Sequence, residues 1–203
     1  MRTLAIETAG NACSIALLDG KRIVAERHEL VGRGHAERLI PWIAELLGGG
    51  RADRIIVGCG PGSFTGVRIG IAAARGLGLG WGVPVTGVSS LALVAAGCAA
   101  DRFIVAIDGG HGELLVQQYS RSPFHAEGDF VSLTPENAAT VMTVDAVAGA
   151  GADRLITARG YGTGFFAEAR AAHIALLPDA SLGLAASPLY GRGPDAKPLV
   201  NPK

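Results

Sequence analysis

The sequence predicts an α/β protein made of two related halves, the second of them truncated. Three observations predict it. Over about the first 100 residues, short apolar runs and helical stripes follow one another in the order βββαβαβα. A glycine-dense turn, Gly58 to Gly70, joins an apolar run to a helix. Leu4-Ala5-Ile6-Glu7 is echoed by Val105-Ala106-Ile107-Asp108 at an offset of 101 residues, with a small-residue turn after each.

Thr3 to Glu7 and Ala12 to Leu18 read as strands, and Asp19-Gly20 turns the chain into a third, Arg22 to Leu30. Gly34 to Leu47 is helical by the stripe Leu39, Ile40, Ile43, Leu46, Leu47. Pro41 lies inside that pattern and kinks the helix or marks a late start, because it cannot donate an N–H. Gly48-Gly49-Gly50 stops it. A strand Arg54 to Gly58, the glycine turn, a helix Ile69 to Trp81, a strand Val83 to Gly87 and a helix from about Ser89 complete a ribonuclease-H-like half. The second half opens with the matched hairpin: Val105–Asp108, the turn Gly109–Gly112 and a strand Glu113 to Tyr119. Thr134-Pro135-Glu136 is a helix start with Pro in the first turn. Ala146 to Ile156 and Gly164 to His173 are further elements, and Tyr190 to Lys203 reads as an irregular tail. The division falls at residues 1–100 and 101–203.

Composition narrows the function. Apolar residues make up 49% of 203, enough for a packed core and against wholesale disorder. Eighteen basic residues balance eighteen acidic ones, which disfavours an autonomous grip on nucleic acid, where cation surplus supplies the affinity. Cys13, Cys59 and Cys98 are dispersed, as in a reduced cytoplasmic protein rather than a disulfide framework. Neither a signal-peptide pattern nor a run of 18 apolar residues appears, so a soluble protein without a membrane span is expected.

The glycine turn fails the generic catalytic fingerprints. A Walker A loop needs Lys after its last glycine, but Val67 and Arg68 follow Gly66. A dinucleotide fingerprint from Gly60 and Gly62 needs glycine where Thr65 stands, and a nucleophile elbow at Ser63 needs glycine where Pro61 stands. Gly60 to Gly70, Ala5-Ile6-Glu7-Thr8-Ala9 and His35 to Pro41 together resemble the TsaB (YeaZ) family. The resemblance covers about the first 100 residues well and the rest loosely. It implies the actin-like, sugar-kinase-like ATPase fold. It also implies a non-catalytic subunit of the bacterial machinery that makes threonylcarbamoyladenosine in tRNA. Such a subunit pairs with the catalytic paralogue TsaD or with a second copy of itself, with a TsaE ATPase near the junction and tRNA bound only within the complex. The alternative is a weak ATPase or kinase, or a glycoprotease-like enzyme, of the same superfamily.

Individual residues sharpen this. Catalytic relatives of the family hold a metal through two histidines four apart on the first helix. Here Leu39 stands four residues after His35, so neither a metal nor a catalytic residue is predicted. Glu7 and Thr8 at one turn and Asp108 at the other can either bind ATP or ADP with magnesium at low affinity or simply end their strands; both readings stay open. Arg68 opposes the dipole in the first turn of its helix, which predicts an acidic or carbonyl partner, either Glu7 or a residue of another chain. Gly66, Gly70, Ala74, Gly78 and Gly82 recur every four residues, and Ala72, Gly76 and Gly80 form a second row. Each interior helical glycine costs about 1 kcal/mol relative to Ala, so a close backbone approach must offset it. One row facing the sheet and one a partner, or both giving tight internal packing, explain the rows equally well. Trp42 widens the first helix's apolar stripe as an interface anchor would. The predicted interface is therefore His35, Leu39, Trp42, Gly66, Arg68, Gly70, Ala74 and Gly78.

Overall fold

Two five-stranded sheets of identical strand order carry the chain. The computed structural model describes residues 1–191; residues 192–203, most of the predicted tail, lie outside the described residues. In the first half, β1 (Arg2–Glu7), β2 (Ala12–Asp19) and β3 (Arg22–Leu30) form an antiparallel meander. Helix α1 (His35–Glu45), β4 (Arg54–Gly58), α2 (Phe64–Trp81), β5 (Val85–Val88) and α3 (Ser90–Ala96) follow, with β4 parallel to β1 and β5 parallel to β4. The order across the sheet is β3-β2-β1-β4-β5.

The second half repeats the plan. Strands β6 (Arg102–Gly110), β7 (Glu113–Arg121) and β8 (Phe124–Leu133) make the meander. Helix α4 (Pro135–Val141), β9 (Ala146–Ala148), α5 (Ala152–Arg159) and β10 (Thr163–Phe165) complete the order β8-β7-β6-β9-β10. The sequence echo thus falls on the central strands β1 and β6 of two ribonuclease-H-like sheets, and the fold is actin-like.

Each element has a local cause. Ser63 caps α2 by accepting the Gly66 N–H at 3.2 Å, so that helix starts at Phe64 rather than at the predicted Ile69. Ser63→Ala is expected to lower stability by about 1 kcal/mol, measured by urea unfolding. Thr134 does the same for α4 through the Asn137 N–H, with Pro135 in the first turn as predicted. Pro41 is carried inside α1 on its exposed side. Of the later predicted elements, Ala146–Ile156 divides into β9 and α5, and Gly164–His173 into the end of β10 and the start of a 3₁₀ helix, Ala171–Leu176.

Three apolar clusters result. Helices α1 and α2 cover one face of the first sheet over Leu4, Ile6, Ile15, Ile55 and Val57. Helices α4 and α5 cover the second sheet over Ile104, Ala106, Val116 and Val147. Between the halves, α3 and the 3₁₀ helix join Ile56 and Val88 of one sheet to Phe103 and Val105 of the other. After Phe165 the chain returns to the first half. The Ala171 N–H donates to Ser14 Oγ at 2.9 Å, and Leu184 pairs with Gly87. The Leu189 N–H donates to the Cys59 carbonyl at 2.8 Å.

Candidate functional site

The glycine turn is moulded around the end of β1. The Ser63 N–H donates to the Ala9 carbonyl at 2.7 Å, pinning the turn to the β1–β2 hairpin. Thr8, fully buried, donates its hydroxyl to the Gly66 carbonyl at 2.7 Å. A Cβ on Gly66 would stand 2.1 Å from the Thr8 carbonyl oxygen, and one on Gly70 2.5 Å from Thr8 Oγ1. One on Gly78 would stand 2.3 Å from the Val85 side chain. The row Gly66, Gly70, Ala74, Gly78 is therefore the seat of the protein's own sheet, which corrects its prediction as a partner surface.

The same correction applies to the residues predicted on α1. Leu39 and Trp42 are buried in the first core cluster, with the Arg27 guanidinium 4.3 Å over the Trp42 ring. His35 is buried, and its Nε2 lies 3.1 Å from the Gly10 carbonyl. The stripe containing Leu39 faces inward because it is the more continuous apolar face. Outside, Ile40 and Leu47 of the α1 region are exposed, and on α2 Leu79 is 88% exposed beside Ala72, Gly76 and Gly80. A Cβ on Gly76 or Gly80 would meet nothing within 4 Å. Helices α1 and α2 touch each other, and these residues lie on the outer side of the pair together with the second small-residue row. The signal of this outer side in the sequence was the apolar spacing Ile40, Ala44, Leu47, which runs beside the stronger inward stripe.

Glu7 is a buried hub. Its carboxylate accepts from Ser90 Oγ at 2.6 Å and from the Ala9 N–H at 2.5 Å. Ser90 in turn accepts from the Gly60 N–H at 3.1 Å, so strand end, glycine turn and the start of α3 share one carboxylate. Burial pushes the Glu7 carboxyl above the ordinary carboxylate range, against the opposing effect of these hydrogen bonds. Neither Glu7 nor Thr8 lines the cleft between the halves, and both are engaged as internal ties, in line with the strand-end reading rather than the nucleotide one. Asp108 does line it, with its side chain 73% exposed, and accepts the Gly110 N–H at 2.9 Å. The cleft has a volume of about 840 Å³ and opens between the turns Ala9–Ala12 and Asp108–His111. Arg68 does not pair with Glu7. Its Nε donates to Tyr190 Oη at 3.1 Å, and its guanidinium lies 3.4 Å over the Phe64 ring. Among the described residues no group of three His, Cys, Asp or Glu side chains is placed to hold a metal. No helix among them is long and apolar enough to cross a membrane.

This geometry can be set beside known proteins. The family model of TsaD, tRNA N6-adenosine threonylcarbamoyltransferase, matches residues 23–128. A solved structure of YeaZ from Pseudomonas aeruginosa superposes with a TM-score of 0.78 at 30% identity, over 93% of this chain and 99% of that one. The chain belongs to the TsaB (YeaZ) family. Within it, the tRNA threonylcarbamoyladenosine biosynthesis protein TsaB of Escherichia coli is 41% identical over 148 residues, 67% of this chain and 64% of that protein. TsaB of Haemophilus influenzae is 36% identical over 63% of this chain and 58% of its own length. The chain thus matches less than two thirds of either curated relative. Relative to the resemblance seen in the first 100 residues, the likeness to the YeaZ structure runs through the second half of the chain as well.

Proposed function

We propose that this chain is a non-catalytic subunit of the machinery that makes threonylcarbamoyladenosine in tRNA. It pairs with a TsaD-like catalytic paralogue through the outer surface of α1 and α2. The names of its relatives support the pathway. The non-catalytic reading is supported by the way the conspicuous polar groups are already engaged: Glu7 by Ser90 and Ala9, His35 by Gly10, Thr8 by Gly66. The observation that carries the pairing is the exposure of the apolar side chains Ile40, Leu47 and Leu79, with bare Gly76 and Gly80 on the outer side of α2. Bare glycines let a second helix approach closely, and removing leucine side chains from water drives association. A TsaE-like ATPase joins at the junction, and tRNA is engaged by the assembly rather than by this neutral chain alone. In the absence of the paralogue the same surface pairs two copies.

Gly76→Arg and Leu79→Asp test this. Neither residue is packed internally, so both variants keep the fold, while co-purification with the TsaD-like paralogue weakens at least about 100-fold. Wild-type recovery of the complex by both variants would refute the pairing surface.

A further inference from the structure

The mouth of the interlobe cleft carries an aromatic cluster that the pairing surface does not use. Phe64, the first residue of α2, is 55% exposed, and its ring stacks with Tyr190 at a centroid separation of 5.5 Å and an interplanar angle of 29°. The Arg68 guanidinium lies 3.4 Å from the Phe64 centroid and 5.7 Å from that of Tyr190. Were Arg68 and Tyr190 on opposite faces of Phe64, they would stand much farther apart than that. Both therefore crowd one side of the ring, and its other face is left without a ring or cation contact among the described residues. Tyr190 is held in place from behind, because the Leu189 N–H is bonded to Cys59 and Arg75 Nη2 donates to the Ala186 carbonyl at 2.8 Å.

The charges of the same cleft restrict what enters. Arg68 is the only lysine or arginine among its described lining residues, with its Nε donating to Tyr190 and its guanidinium over Phe64. Asp108 and Glu168 also line it, Asp108 paired with Arg154 Nη1 at 3.5 Å and Glu168 bonded to His28 Nε2 at 3.0 Å. A planar group rich in N–H and O–H donors would meet the Phe64 ring and carboxylate oxygens that still have lone pairs to accept with. The volume, about 840 Å³, lies in the range of small-molecule sites.

We infer that the cleft mouth is a stacking site for a nucleobase, taken up as an uncharged nucleoside or as an unpaired base of RNA. Phe64 is its platform, Tyr190 and Arg68 brace that platform, and Asp108 accepts hydrogen bonds from the ligand's amino or hydroxyl groups. The site is independent of the pairing surface proposed above.

Isothermal titration of the full chain with adenosine, with Mg·ATP and with a short single-stranded oligoribonucleotide tests it. Adenosine or the oligonucleotide binds, Phe64→Ala weakens that binding about tenfold or more, and Phe64→Trp restores it. Mg·ATP binds no more tightly than adenosine. Preference for the oligonucleotide with the same dependence on Phe64 assigns the base to RNA; preference for adenosine assigns it to a free nucleoside. No binding of either probe, binding indifferent to Phe64→Ala, or Mg·ATP binding far above adenosine would each overturn the inference. The Phe64 variants should still recover the TsaD-like paralogue, which separates failure of this site from failure of the pairing.

Discussion

Gly66→Ala is expected to lower the unfolding free energy by at least about 3 kcal/mol, while Gly76→Ala in the same helix is expected to raise it by about 0.5–1 kcal/mol. The two substitutions add the same methyl group ten residues apart, and the structure gives them opposite signs. At Gly66 the new Cβ stands 2.1 Å from the backbone carbonyl oxygen of Thr8, an atom held in place by the central strand β1 and unable to swing aside. Relief requires α2 to lift from the sheet. That would loosen the Thr8–Gly66 hydrogen bond and the contacts of Val67, Ile71 and Ala74 beneath it. At Gly76 the Cβ meets nothing within 4 Å, so only the helix preference of alanine is felt. Urea unfolding of both variants, compared at equal m-value, measures the difference. Equal stability of the two would mean that α2 does not lie on β1 as described. A stabilised Gly76→Ala that also pairs less well would show the bare outer row to be kept for a partner at the expense of the helix itself.

Those two positions also show where sequence reasoning stops. A four-residue spacing of small residues is plain in the chain, and so is the existence of two rows. Which row turns inward is decided by groups remote in sequence: Thr8, 58 positions before Gly66, and Val85 packed on Gly78. Arg68 was recognised as needing a partner because it opposes the helix dipole, yet Tyr190 lies 122 positions away and no periodicity points to it. Elements with enough residues to display a period were legible. Strands β3 and β4 were placed to the residue, and the cap at Thr134 followed from side-chain chemistry alone. Strands β9 and β10 have three residues each, too few for alternation to register, and they exist because β6 and its neighbours provide an edge to pair with. The duplicated strand order, by contrast, was already written in the echo between β1 and β6.

Glu7→Ala is expected to lower stability by about 3 kcal/mol or more, and Glu7→Gln by far less, because the carboxylate is a shared acceptor rather than a ligand group. Alanine would leave the Ala9 N–H and the Ser90 hydroxyl buried without that partner and would open a cavity beneath Gly58, whose added Cβ would now stand only 1.9 Å from Glu7 Oε2. Glutamine keeps the shape, one acceptor oxygen and a donor that Ser90 Oγ can accept. The charge itself gives a pH signature. Burial raises the Glu7 carboxyl above its ordinary value of 4.5, and the hydrogen bonds from Ser90, Ala9 and Thr8 offset this only in part. The folded protein therefore holds this proton at pH values where the unfolded chain has released it. The contribution of Glu7 to stability is full below about pH 4.5, decreases as pH rises, and levels off once the folded carboxyl has ionised. Urea midpoints taken every half unit from about pH 4 to pH 8 should fall more steeply with pH in the wild type than in Glu7→Gln. Parallel curves would show that the carboxyl is not desolvated by its neighbours. A wild type that instead gains stability relative to Glu7→Gln as pH rises would mean that hydrogen bonds to the ionised form outweigh burial, and that the junction of β1, the glycine turn and α3 is built around a charge.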